Sequence, residues 1–111
     1  MSTYLEQELG NIKLKIYEMA DLAIEAISDS VDALKNSNRE RAQRVIKDDT
    51  VLDRLEIELD DECIKVLVTR QPAAVDLRFV LAMLKINTDL ERMGDLATNI
   101  AKETIRLDGK P

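Results

Sequence analysis

Residues 72–107 read PAAVDLRFVLAMLKINTDLERMGDLATNIAKETIRL, and this stretch decides the fold. Phe79, Met83, Ile86, Leu90, Met93, Ala97 and Ile100 step by four and three, with Thr104 and Leu107 following. Such spacing is the buried seam of one long helix. Gln71-Pro72 marks its start, because proline suits a first helical turn and disfavours helix at the residue before it. The spacing predicts a helix from Pro72 or Ala73 to Leu107, stopped by Asp108-Gly109-Lys110-Pro111.

Working backwards, a second helix is expected from about Arg39 to Thr69, with the seam Val45, Asp49, Leu52, Glu56, Leu59, Cys63 and Val66. Two acidic residues inside an apolar seam are an anomaly. Asn36, Ser37 and Asn38 are turn and N-cap residues and separate it from a first helix spanning Thr3 to Lys35. There Leu5, Leu9, Ile12, Ile16 and Met19 form one seam. It then shifts by one position to Ala20, Ile24, Ile27, Val31 and Leu34. The shift predicts either a seam that drifts around the helix or different partners for its two halves. Each helix would be about 45–50 Å long at 1.5 Å per residue. Equal lengths and short links predict an all-α fold, an antiparallel three-helix bundle forming one domain over residues 1–111.

Composition narrows the function. Net charge is −6, against the basic face of a nucleic-acid binder. No apolar run approaches a membrane span, and the N-terminus lacks the basic and apolar regions of a signal peptide, so a cytoplasmic location is expected. Cys63 stands alone, which excludes a disulfide framework and a cysteine metal motif. The chain has no histidine, which removes serine-type triads and imidazole metal sites.

The acidic residues are patterned. Asp49 and Asp53 are four apart, with Glu56 a turn on. Asn87, Glu91, Asp95 and Asn99 form a second line at the same spacing. Carboxylates four apart share a helix face and repel by a few tenths of a kcal/mol on an exposed helix. A bound cation reverses the sign of that interaction. All-oxygen donors suit Mg²⁺, Mn²⁺, Ca²⁺ or iron, and Zn²⁺ less. The alternative is a solvated acidic face, laced by Lys85–Asp89 and by Arg92 with Asp89 and Asp95. The line Asp21, Glu25 and Asp29 on the first helix reads the same way, and the basic run Arg39, Arg41, Arg44 and Lys47 reads as solvated or as a match for an acidic partner. Met19, Met83, Met93 and Cys63 read as core. Gly94 reads either as room for a close helix approach or as merely tolerated.

The segments QPAAVDLR (71–78), DLERMGD (89–95) and NIA (99–101) resemble the PhoU family, in which a QPxAxDLR-like turn precedes DLERIGD-like and NIA-like runs. This chain departs by one extra spacing residue in the turn and by Met93. The resemblance implies a three-helix repeat that binds metal ions, iron or Mg/Mn foremost, at acidic-x-x-x-Asp motifs. Carried over, the metal ligands are Asp49, Asp53, Glu91 and Asp95, with Asn99 and then Asn87 as weaker candidates. It also implies association with the phosphate ABC transporter ATPase and the phosphate sensor histidine kinase, and restraint of phosphate uptake and starvation signalling. Members usually carry two such repeats. This chain resembles the N-terminal one, and a homodimer is the expected way to rebuild the pair. A non-catalytic regulatory adaptor is therefore expected. The alternatives are a carboxylate-bridged metalloenzyme and a purely structural helical module. Neither nucleic-acid binding nor membrane insertion is expected.

Overall fold

The structure is a computed structural model that describes residues 3–108. Three helices follow one another: α1 (Tyr4–Lys35), α2 (Arg39–Arg70) and α3 (Ala74–Leu107). Each boundary has a local cause. Thr3 caps α1 through a reciprocal capping box with Glu6, and the Asn38 side chain caps α2 by accepting from the Arg41 amide at 3.1 Å. Gln71 ends α2 in the left-handed region at φ 45°, and Pro72 then bars α2 from continuing. The link between α1 and α2 likewise turns through a left-handed residue, Ser37 at φ 52°. Helix ends agree with the sequence reading to within two residues. Of the expected stop signals, Gly109, Lys110 and Pro111 lie outside the described residues.

The helices run up, down and up. Arg70 meets Glu8 at 2.6 Å, Lys15 meets Glu62 at 2.7 Å and Glu58 at 3.3 Å, and Arg41 reaches Asp29 and Asp32 at 3.8 Å, so α1 and α2 are antiparallel. Asn87 opposite Glu56 and Arg39 opposite Asp108 set α3 antiparallel to α2. The result is a rod of 60 × 21 × 18 Å. Among the described residues no helix is long and apolar enough to cross a membrane.

The core has two parts. Ile12, Ile16, Met19, Leu52, Leu55, Leu59, Cys63, Val66, Val80 and Leu90 build the larger one, and the alanines 33, 42, 97 and 101 with Val45 build a tighter one towards the far end. Small residues there let the helices approach closely where the acidic pairs face each other. Cys63 is buried, as expected, and its thiol is pushed up to about 11 by burial and by Asp60 and Glu62.

One expectation fails. In the second half of α1 the residues that enter the core are Ala23, Ser30 and Ala33, whereas Ile24, Val31 and Leu34 are exposed. The bundle selects the small residues because α1 lies close to its neighbours there. Of the shifted seam, Ala20 and Ile27 still pack against the core, and Ile24, Val31 and Leu34 are left outside.

Candidate metal centre

α2 and α3 bring their acidic lines together. Asp49, Asp53 and Asp95 each offer a carboxylate oxygen, and these three atoms all lie within 4.8 Å of one another. The residues come from two helices, so the group exists only when α2 and α3 pack. Gly94 sets how closely they pack: a Cβ there would lie 2.5 Å from Leu52 Cδ2 and 2.9 Å from Asp49 Oδ1. Of the two readings of Gly94, the close helix approach is correct.

The electrostatics are those of crowded like charges. Asp49 is half-buried, and its carboxyl is raised above the usual carboxylate range by burial, then by Asp53 and Asp95, with the Thr98 hydroxyl and Lys102 offsetting this in part. Glu91 is raised to about 7 by burial, by its hydrogen bond with Asp95, and by the charges of Asp95, Glu56 and Asp53. Glu56 is raised by burial and by Asp53, Asp60 and Asp95. Sequence reasoning placed Glu56 in the α2 seam but left it off the ligand set. Its acidic character at a seam position was the available signal.

The remaining candidates fall outside the three-carboxylate group. Glu91 joins it through Asp95, and Asn99 is exposed one turn further along α3. Asn87 is only 3% exposed; its Nδ2 donates to the Glu56 carbonyl at 3.0 Å, and its Oδ1 has no hydrogen-bond partner. The expected local ion pairs do not form: neither Lys85 nor Arg92 is bridged to Asp89 or Asp95. The cluster is therefore not internally neutralised. By contrast, the acidic line on α1 is partly answered. Glu25 and Asp29 line a groove of about 230 Å³ with Arg41 and Arg44 of α2, and Arg41 pairs with Asp29.

This donor set fits a hard cation. Oxygens up to 4.8 Å apart span an ion of calcium size directly, since two trans ligands at ~2.3–2.6 Å stand roughly 5 Å apart. A smaller ion such as Mg²⁺ needs the carboxylates to close by about half an ångström.

Comparison with known proteins places these features in a family. The PhoU domain matches residues 16–104. The phosphate-specific transport system accessory protein PhoU homolog of Aquifex aeolicus (strain VF5) is 43% identical over 107 residues, which is 96% of this chain and 48% of that protein. The homolog from Rhizobium meliloti (strain 1021) is 43% identical over 104 residues, 94% of this chain and 44% of that protein. The crystal structure of PhoU from Pseudomonas aeruginosa superposes with a TM-score of 0.89 at 36% identity, over 91% of this chain and 48% of that one. The chain thus spans about half the length of the relatives it matches.

Proposed function

Because the chain belongs to the PhoU family, we propose that it is a metal-binding regulatory adaptor that restrains phosphate uptake and phosphate-starvation signalling. The observation that carries this reading is the group Asp49, Asp53 and Asp95, drawn from two helices and, among the described residues, joined to no cation by a salt bridge, with Lys102 offsetting Asp49 only in part. In the bundle these carboxylates, with Glu91 beside Asp95, hold the cation. The suited ions are iron, Mg²⁺ or Mn²⁺, held once the carboxylates close by about half an ångström, with Zn²⁺ less suited for want of nitrogen and sulfur donors. The cation supplies charge neutralisation. The carboxylates alone push α2 and α3 apart, so occupancy and α2–α3 packing are coupled. A signal read as metal occupancy is thereby converted into the rigidity of one face of the bundle.

The adaptor acts without catalysis, in the cytoplasm and as a homodimer. Its partners are the phosphate ABC transporter ATPase and the phosphate sensor histidine kinase. The relatives' description as accessory proteins of phosphate-specific transport supports this assignment.

The test has two arms. The chain is prepared with and without chelator, and its metal content is measured by elemental analysis together with its melting temperature. Wild type should hold metal and melt higher with it, whereas D49N/D53N and E91Q/D95N should lose both properties. Equal metal content in wild type and variants would sink the metal reading. Pull-down with the purified ATPase and kinase tests the adaptor reading, and retention by neither would refute it.

A further inference from the structure

The threonines inside the helices divide into two kinds. Thr50, Thr69, Thr88 and Thr104 each donate the side-chain hydroxyl to a carbonyl of their own helix, one turn back. That is the ordinary use of a helical threonine. Thr98 is the exception: its Oγ1 is shut off from solvent and makes no such bond. A buried hydroxyl with nothing to bond is unfavourable, so the group beside it is informative. That group is the Asp49 carboxyl, on which Thr98 and Lys102, one turn further along α3, both act.

The register of α2 on α3 fixes how Thr98 stands to the acidic group. Asn87 lies opposite Glu56, and Arg39 lies opposite Asp108. Asp49 therefore stands against the turn from Gly94 to Thr98, and Asp53 against the turn before it. The contact at Gly94 agrees, since Asp49 Oδ1 is 2.9 Å from where a Cβ would stand. Along the rod, Thr98 lies beyond Asp49 as seen from Asp53. One oxygen of Asp49 belongs to the group with Asp53 and Asp95. A carboxylate has a second oxygen, and Thr98 is placed on the side away from Asp53 to engage it. Lys102 attracts the carboxylate as a whole, whereas a hydroxyl proton selects a single lone pair.

Whether Asp49 offers one oxygen or two decides which ion it suits. Ca²⁺ takes about six to eight oxygens and accepts both oxygens of one carboxylate. Smaller ions of the Mg²⁺ kind demand a near-octahedral shell, keep several waters and take one oxygen from each carboxylate. By spacing alone the group suits calcium, because its oxygens stand up to 4.8 Å apart. A hydroxyl that holds one Asp49 oxygen back from the ion removes that advantage. We infer that Thr98 is a positioning residue: it donates to Asp49, fixes it as a one-oxygen ligand, and so tilts the centre from Ca²⁺ towards Mn²⁺ and Mg²⁺. This inference rests on the metal reading proposed above and adds the residue that sets its ion preference.

The experiment is calorimetric titration of the metal-stripped chain with Mn²⁺ and, separately, with Ca²⁺, on wild type, Thr98→Val and Thr98→Ser. The melting temperature of each is also taken in chelator. Wild type should prefer Mn²⁺. Thr98→Val keeps the β-branched shape and removes the hydroxyl. Its Mn²⁺ affinity should fall about tenfold, the lower end for loss of a group that orients a metal ligand, while its Ca²⁺ affinity holds or rises. Thr98→Ser keeps the hydroxyl and should keep the wild-type preference. In chelator, Thr98→Val should melt no lower than wild type, since no close hydrogen bond is lost. An unchanged preference in Thr98→Val overturns the inference, as does a wild type that prefers Ca²⁺ or a Thr98→Ser that behaves like the valine variant. A Thr98→Val that melts lower and weakens both ions alike assigns Thr98 to packing and overturns it too. Wild type that binds neither ion sinks the metal reading and this inference together, whereas wild type that binds with a preference unmoved by Thr98→Val sinks this inference alone.

Discussion

Replacing Gly94 by alanine tests the link between helix packing and the acidic centre, because two physical effects oppose each other there. On helix propensity alone, alanine stabilises an interior helical position by about 1 kcal/mol over glycine. The added methyl, however, would stand 2.5 Å from Leu52 Cδ2 and 2.9 Å from Asp49 Oδ1. Leu52 is 3% exposed and belongs to the main core, so its side chain has no open space to enter. Overpacking of this kind costs about 1–3 kcal/mol, and the 2.5 Å approach belongs at the upper end. The net loss is about 1–2 kcal/mol, which lowers the melting temperature by roughly 5–10 °C in a domain of this size. Thermal unfolding followed by circular dichroism in chelator measures it directly. Repeating the melt with added Mn²⁺ reads the second consequence: α2 is pushed outward and Asp49 leaves the group, so the cation-induced rise in melting temperature shrinks. An unchanged or raised melting temperature in chelator would show that propensity wins and that Gly94 does not set the approach of α2 to α3.

Other outcomes follow from the same geometry. In chelator, D49N/D53N should melt higher than wild type, because neutral amides remove the repulsion among Asp49, Asp53 and Asp95; a lower melt would show that these carboxylates are already compensated. Glu91 has a folded-state value of about 7 against an ordinary 4.5, so between those values the folded protein binds more protons than the unfolded chain. Metal-free stability should therefore fall as pH rises from about 4.5 to about 7, by roughly 1–2 kcal/mol after solvent screening is discounted, and urea titrations at either end check the sign. Lys15 is partly desolvated, which works against its charge, yet its hydrogen bonds to Glu62 and Glu58 push it above its ordinary value. Even so, Lys15→Met should cost under about 1 kcal/mol in urea unfolding, since the retained stem still packs and the carboxylates of Glu58 and Glu62 stay open to solvent.

The sequence specifies the helices more fully than their surroundings. A 4-3 seam with Thr3, Asn38 and Pro72 at the boundaries is local information, and the ends of α1, α2 and α3 lie close to where those residues place them. Facing of the acidic pairs was also legible, because Asp49 and Glu56 occupy seam positions that only a neighbouring helix explains. Two things were not legible. Periodicity marks a row as apolar without stating which neighbour covers it, so Ile24 and Val31 read as core on the same grounds as Ile12 and Met19. Ion pairs expected from spacing alone, such as Lys85 with Asp89, depend on rotamers that spacing does not fix, and cross-helix pairs such as Arg41 with Asp29 formed instead.

The turn between α2 and α3 bears on what two paired copies of the chain would exchange. Gln71 holds a left-handed backbone without being glycine, and Pro72 follows it. Had this junction been helical, α2 and α3 could have fused into a single shaft of more than 60 residues and lent α3 to a neighbouring molecule. Because proline has no amide hydrogen to continue the ladder, opening the hairpin gains no helical hydrogen bond at that point. The acidic centre needs α2 and α3 together, so a swapped assembly would build each centre from two chains, and dilution would dismantle it. With the hairpin locked, each chain carries its own centre, and separating the copies leaves it whole.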